Sequence, residues 1–271
     1  MTNIAKLLLL ASNCILVVGL SFNTHAQKLP KVQKIAVRAP ADIKIDGKTS
    51  EWKDKFHAYN SGNYIYYTVS NDDGNLYLTL KTDGPLSSEK LLRGGITFSV
   101  ASVVTKKSTV SLTFPAFRKI SNSETTQLKD SPDRYKNYIA DTLINKNKID
   151  SLILSSNRQI KNNLRDILVN GVNEITEPLI SIYNEQAIKV SLSVNSRMQI
   201  VYELAVPVKL LAKAIDTNGK FKYNIKMNSL GTIAVPGAFD PPLLAISQEI
   251  KPETLYLNYT TDFWGEYTLA K

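Results

Sequence analysis

Four acidic side chains in motif-like positions are those from which a catalytic carboxylate pair would be drawn: Asp46, Glu51, Glu185 and Glu203. Glycoside hydrolysis asks for little more than two such groups, one to protonate the leaving oxygen and one to act as base or nucleophile. For Asp46 and Glu203 the simpler expectation is structural, because a buried acid is most often just a paired one. Glu203 lies between Tyr202 and Leu204, where strand alternation would turn it inward and demand a hydrogen-bonding or ionic partner. The rest of the catalytic inventory is thin. Histidine occurs only as His25 and His57, and the chain has no Gly-x-Ser-x-Gly elbow, no His-Glu-x-x-His and no phosphate loop. The single cysteine, Cys14, falls in an apolar leader, which leaves the remainder without disulfides, thiolate metal sites or a cysteine nucleophile.

Two binding chemistries are better provided for. Asn71, Asp72, Asp73 and Asn75 present hard oxygens on a tight loop, so calcium at Asp72 and Asp73 is one reading and a plain β-turn the other. The loop lacks the spaced acids and terminal glutamate of an EF-hand. Tyr64, Tyr66 and Tyr67 lie together in one strand-like run; alternation puts Tyr66 and Tyr67 on opposite faces and leaves at least one ring outside the core as a platform for a sugar.

The elements that position these groups follow from the apolar pattern. Lys6, the apolar run Leu7 to Leu20 and the small residues Thr24 and Ala26 form a signal-peptide grammar, with cleavage expected before Gln27 and no transmembrane segment after it. From Ile43 the period is two: Ile43 to Ile45, a hairpin of Tyr64 to Val69 and Leu76 to Leu80 about the Asp-Gly turn, Gly95 to Val104, and Ser108 to Phe114 ended by Pro115. Between about 116 and 172 the pattern becomes helical and polar. Ser131-Pro132-Asp133 starts one helix carrying Tyr135, Tyr138, Ile139 and Leu143, and Ile160, Leu164, Ile167 and Leu168 share a stripe of a second. Strands return at Ile180 to Tyr183, Ala187 to Val194, Met198 to Val206, Phe221 to Met227 and around Tyr267 to Leu269. The formal net charge is +9, and removing residues 1–26 takes away only one base. That excess suits anionic glycans or lipid heads; no nucleic-acid motif accompanies it, so nucleic acid is not an expected partner.

Four segments in order resemble the family 9 carbohydrate-binding modules and their jelly-roll relatives. They are Ile45-Asp46-Gly47 with Glu51-Trp52, Asn71-Asp72-Asp73 leading into Leu76-Tyr77-Leu78, Tyr202 to Pro207, and Phe263-Trp264-Gly265. Gly94-Gly95-Ile96 and Ile182 to Glu185 are similar to exported proteins of Bacteroidetes-type bacteria. The resemblance implies structural roles for Asp46, Gly47, Trp52, Glu203, Pro207, Trp264 and Gly265, and a sugar held between two aromatic rings. The second ring has no evident counterpart, and the long insertion is foreign to the shorter modules.

The expectation is therefore an all-β, jelly-roll-like antiparallel sandwich over residues 27–271 with a partly helical insertion, exported to the periplasm or beyond. The resemblance implies a non-catalytic protein that binds a glycan or cell-envelope component and needs no organic cofactor. A protein-interaction component of an exported assembly is the alternative, and a glycoside-active enzyme a third reading.

Overall fold

Alternation of apolar and polar residues runs through much of the chain, and most of the alternating stretches among the described residues pair into ladders. The computed structural model describes residues 28–104, 109–116, 146–230 and 252–271. Its strands are β1 (Ala58–Asn60), β2 (Ile65–Asn71), β3 (Asn75–Thr82), β4 (Ile96–Ala101), β5 (Thr109–Ala116), β6 (Asp166–Asn170), β7 (Leu179–Ser181), β8 (Lys189–Val194), β9 (Ile200–Pro207), β10 (Lys220–Met227) and β11 (Thr261–Thr268). Helices α1 (Pro85–Gly94), α2 (Lys146–Asn163) and α3 (Pro252–Asn258) and the short 3-10 turn Val208–Leu211 complete it.

The strands form two antiparallel sheets, a five-stranded one in the order β1-β2-β3-β9-β8 and a six-stranded one in the order β11-β10-β4-β5-β6-β7. The expected all-β sandwich is what the chain builds, jelly-roll-like in that it passes from one sheet to the other after β3, β7 and β9. Tyr67, Leu78, Tyr202 and Leu204 from one sheet meet Phe98, Leu112, Phe221 and Tyr223 from the other in one buried apolar cluster. Gly265 is required here, since a Cβ on it would lie 2.3 Å from the Tyr223 ring.

Several local expectations are corrected. Ile43 to Ile45 forms no strand, and the Asp46 and Gly47 that follow it lie over Glu203 on the outer face of the five-stranded sheet. Tyr64 precedes β2 at a positive φ of 51°. Pro115 sits inside β5, where the pairing with β6 shifts between Thr113 and Ala116. In the expected insertion, residues 117–145 lie outside those described, including the helix expected from Tyr135 to Leu143. The second helix ends at Asn163, and Ile167 and Leu168 belong to β6. Their backbone pairs with β5 and β7 while Ile167 and Val169 point into the core, so the two-residue period of this stretch overrides its helical one.

Helix α1 was not legible as a helix, although Gly84-Pro85 is a start signal. Its Lys90 is buried, with Nζ donating to the Tyr259 carbonyl at 2.7 Å and the Thr261 hydroxyl at 3.0 Å and lying 4.0 Å from the centre of the Tyr256 ring. Burial lowers its pKa to about 8.

Candidate functional site

The outer face of the five-stranded sheet is built from the residues that alternate with its core. On β9, Tyr202, Leu204 and Val206 enter the core and Glu203 points the other way. Glu203 is nonetheless fully buried, because the segment around Asp46 and Gly47 lies over it. One carboxylate oxygen accepts the backbone N–H groups of Asp46 at 3.0 Å and Gly47 at 2.8 Å; the other has no partner among the described residues. Burial pushes the Glu203 carboxyl up to about 7, with the two N–H groups pulling it down and the nearby Asp46 and Glu51 charges adding to the rise. Gly47 adopts φ 82°, and a Cβ there would stand 3.0 Å from that of Ser193, whose hydroxyl donates to the Gly47 carbonyl. Asp46 accepts the Lys48 N–H at 3.0 Å, which tightens the same turn. Trp52, the other half of this motif, is buried.

Beside this turn runs a cleft of about 810 Å³ along β8, the outer strand of the sheet. Its walls are the turn from Asp46 to Thr49 on one side and Ile160 and Leu164, on and just past α2, on the other. Lys48, Lys81, Lys161 and Arg197 bring positive charge to it against Asp46 and Asp54. Asp46 is 3.4 Å from the Lys48 ammonium, and Asp54 accepts from the Thr49 hydroxyl. Tyr183 lines the cleft and is 73% exposed. Glu203 does not reach it.

The three tyrosines expected as a platform separate. Tyr67 is fully buried, accepting the Gln33 N–H at 3.0 Å and lying 3.1 Å from the Tyr223 hydroxyl, so it is closed to any ligand. Tyr64 is exposed but stands edge-on to Tyr256 at 5.3 Å, away from the cleft. Tyr66 faces outward, as alternation requires, and packs at 4.6 Å from the Tyr59 ring, a residue that sequence reading did not single out. The Tyr59 hydroxyl donates to Asp83 at 2.6 Å, and the Lys81 ammonium lies 5.7 Å from the Tyr66 ring centre.

Asp72 and Asp73 go to different partners. The Asp72 carboxylate accepts the N–H groups of Gly74 at 2.8 Å and Asn75 at 2.6 Å and the Tyr77 hydroxyl. Burial raises the Asp72 pKa, but these hydrogen bonds together outweigh it and hold the carboxyl below its ordinary value. Asp73 reaches Arg38 at 2.8 Å. Among the described residues no three His, Cys, Asp or Glu side chains are grouped to hold a metal ion. His57 is half-buried against the Thr68 hydroxyl at 3.1 Å, and burial lowers its pKa.

Of the remaining motif residues, Pro207 ends β9 opposite Asn75. Trp264 stands on the outside of the six-stranded sheet. The face of β11 that carries it points away from the core, leaving it 52% exposed, and Phe263 packs on Tyr67 in its place.

No family model, curated protein or solved structure matches the chain. Among the described residues no helix is long and apolar enough to cross a membrane.

Proposed function

We propose that the protein is an exported, non-catalytic binding module that takes a glycan or another cell-envelope component on the outer face of its five-stranded sheet. The observation that carries this reading is a single cross-strand row: Tyr59, Tyr66, Lys81, Val201 and Ser193 stand opposite one another on successive strands. The row starts in two packed phenol rings and runs into the cleft. Sugar rings stack their C–H faces on such aromatic surfaces, while a few directed polar groups read the hydroxyls. Lys81 and Asp83 flank the rings, and the positive rim favours an anionic ligand. The resemblance of the motifs to family 9 carbohydrate-binding modules supports the same reading. The non-catalytic part is supported by Glu203, which is sealed under the Asp46 turn and cannot pair across the cleft with a second acid.

The test is a glycan-array screen with the purified chain from Gln27 onward, with calcium and again with chelator. Saturable binding to a defined glycan is expected, lost in Tyr66→Ala and kept in Trp264→Ala. Silence across the array from a folded protein would sink the reading. Loss in Trp264→Ala alone would move the site to the other sheet. A second reading, a protein partner, is favoured by the edge of β8.

A further inference from the structure

The edge of β8 is closed at both ends by side chains that imitate a neighbouring strand. At one end the Asn184 amide accepts the Ile188 N–H at 3.1 Å and donates to the Ile188 carbonyl at 2.9 Å. At the other, the Asn157 amide from α2 accepts the Val194 N–H at 2.7 Å and donates to the Val194 carbonyl at 3.1 Å. In an antiparallel ladder, alternate residues turn both backbone groups toward the partner or away from it. Ile188 and Val194 turn theirs away from β9, so Val190 and Leu192, of the same parity, do so too. Among the described residues no donor or acceptor meets the outward groups of Val190 and Leu192.

This open stretch lines the cleft, so there is room for a chain beside it. By contrast, the opposite edge of the sheet is covered beyond β1. Gln33 brackets Val69 with two hydrogen bonds of 2.8 Å, and Asn71 pairs with the backbone of Val37 and Ala39. Unpaired edges invite strand addition, and alternate side chains of an added strand fall on alternate faces. On the inner side they would meet Ile160 and Leu164; on the outer side they would meet Lys48, with Arg197 in the turn that follows β8.

We propose that β8 accepts an extended peptide segment of a partner protein as an added antiparallel or parallel strand, hydrogen-bonded to Val190 and Leu192, with apolar side chains toward α2 and acidic ones toward Lys48 and Arg197. At about 3.3 Å per residue, the gap between the two asparagine caps takes a segment of about five residues. This goes beyond the glycan reading and does not depend on it, because it uses the edge of the sheet and not the Tyr66 face.

The experiment is fluorescence anisotropy with the intact protein and a labelled peptide alternating aspartate and valine. Two further versions are N-methylated at one or the other set of alternate residues. Saturable binding is expected, weakened by salt. One methylation parity should reduce it by about tenfold or more while the other leaves it nearly unchanged, since only one set of N–H groups faces β8. A lysine-valine peptide should bind much more weakly, and Arg197→Glu should weaken the acidic peptide while leaving the fold intact. Tyr66→Ala should keep the peptide, which separates this proposal from the glycan reading. Equal loss with both parities, equal binding of the lysine peptide, or no saturable binding would overturn it. So would a concentration-dependent dimer that the peptide fails to dissociate, because the edge would then belong to a second copy.

Discussion

Glu203 holds its carboxyl at about 7 in the folded chain, against an ordinary value near 4.5. Between those values the folded protein keeps a proton that the unfolded chain releases, so this residue's contribution is fully stabilising below about pH 4.5 and is lost as the pH rises through 7. The full swing is about 3 kcal/mol. Glu203→Gln removes the titration. Thermal melts across this range should show wild type losing stability relative to the variant as the pH climbs, and a constant gap would refute the assignment. That Glu203 needed a partner was legible, because an acid between Tyr202 and Leu204 in a strand cannot simply be left to chance. Which partner it took was not: the Asp46 N–H lies 157 positions away, and no local pattern encodes that distance. Tyr66 and Tyr67 show the same division. Alternation separates their faces, yet only packing against Tyr223 decides which of the two is buried. At Trp264 the parity of one residue decided the matter, and Phe263 took the inward place.

In β8 the backbone alternates between protected and open positions. Amide hydrogen exchange should therefore find slow exchange at Ile188 and Val194, where asparagine side chains accept the N–H, and faster exchange at Val190 and Leu192, where the cleft admits water. Asn157→Ala should release Val194 to exchange and cost about 1 kcal/mol, the scale of a lost hydrogen-bonded pair at a strand edge. Uniform protection along the strand would show that the edge is already covered. A strand whose apolar residues strictly alternate was readable from its period, as β10 shows. Elements that depend on distant support were not. The Ile43 to Ile45 stretch has strand-like residues, but its next two N–H groups bind a carboxylate instead of a ladder. The β6 segment follows a helical stripe closely enough to be read as its continuation, until β5 and β7 claim its backbone.

Across the whole molecule, early and late segments are tied at one corner. The Tyr267 hydroxyl meets the backbone of Val37 and the Asn71 amide oxygen, and Asn71 also holds both backbone groups of Ala270. A chain ending at Tyr259 would lose β11, uncover β10 and release the segment around Val37. It should fail to show a cooperative thermal transition, and a two-state melt from it would contradict these ties. The class of fold was legible because it depends on many short periods; this corner was not, because it joins residues about as far apart as the chain allows. The ties also set an order in time. A chain emerging from its N-terminal end can pair β2 with β3 and hold Asn71 on Val37 and Ala39, yet Ala270 comes 199 positions later, so the six-stranded sheet waits for β11 before it is complete. Until β11 arrives, the edge of β10 lies open to the strands of other chains, so the stretch of synthesis between the two is when this sandwich is most exposed to mispairing.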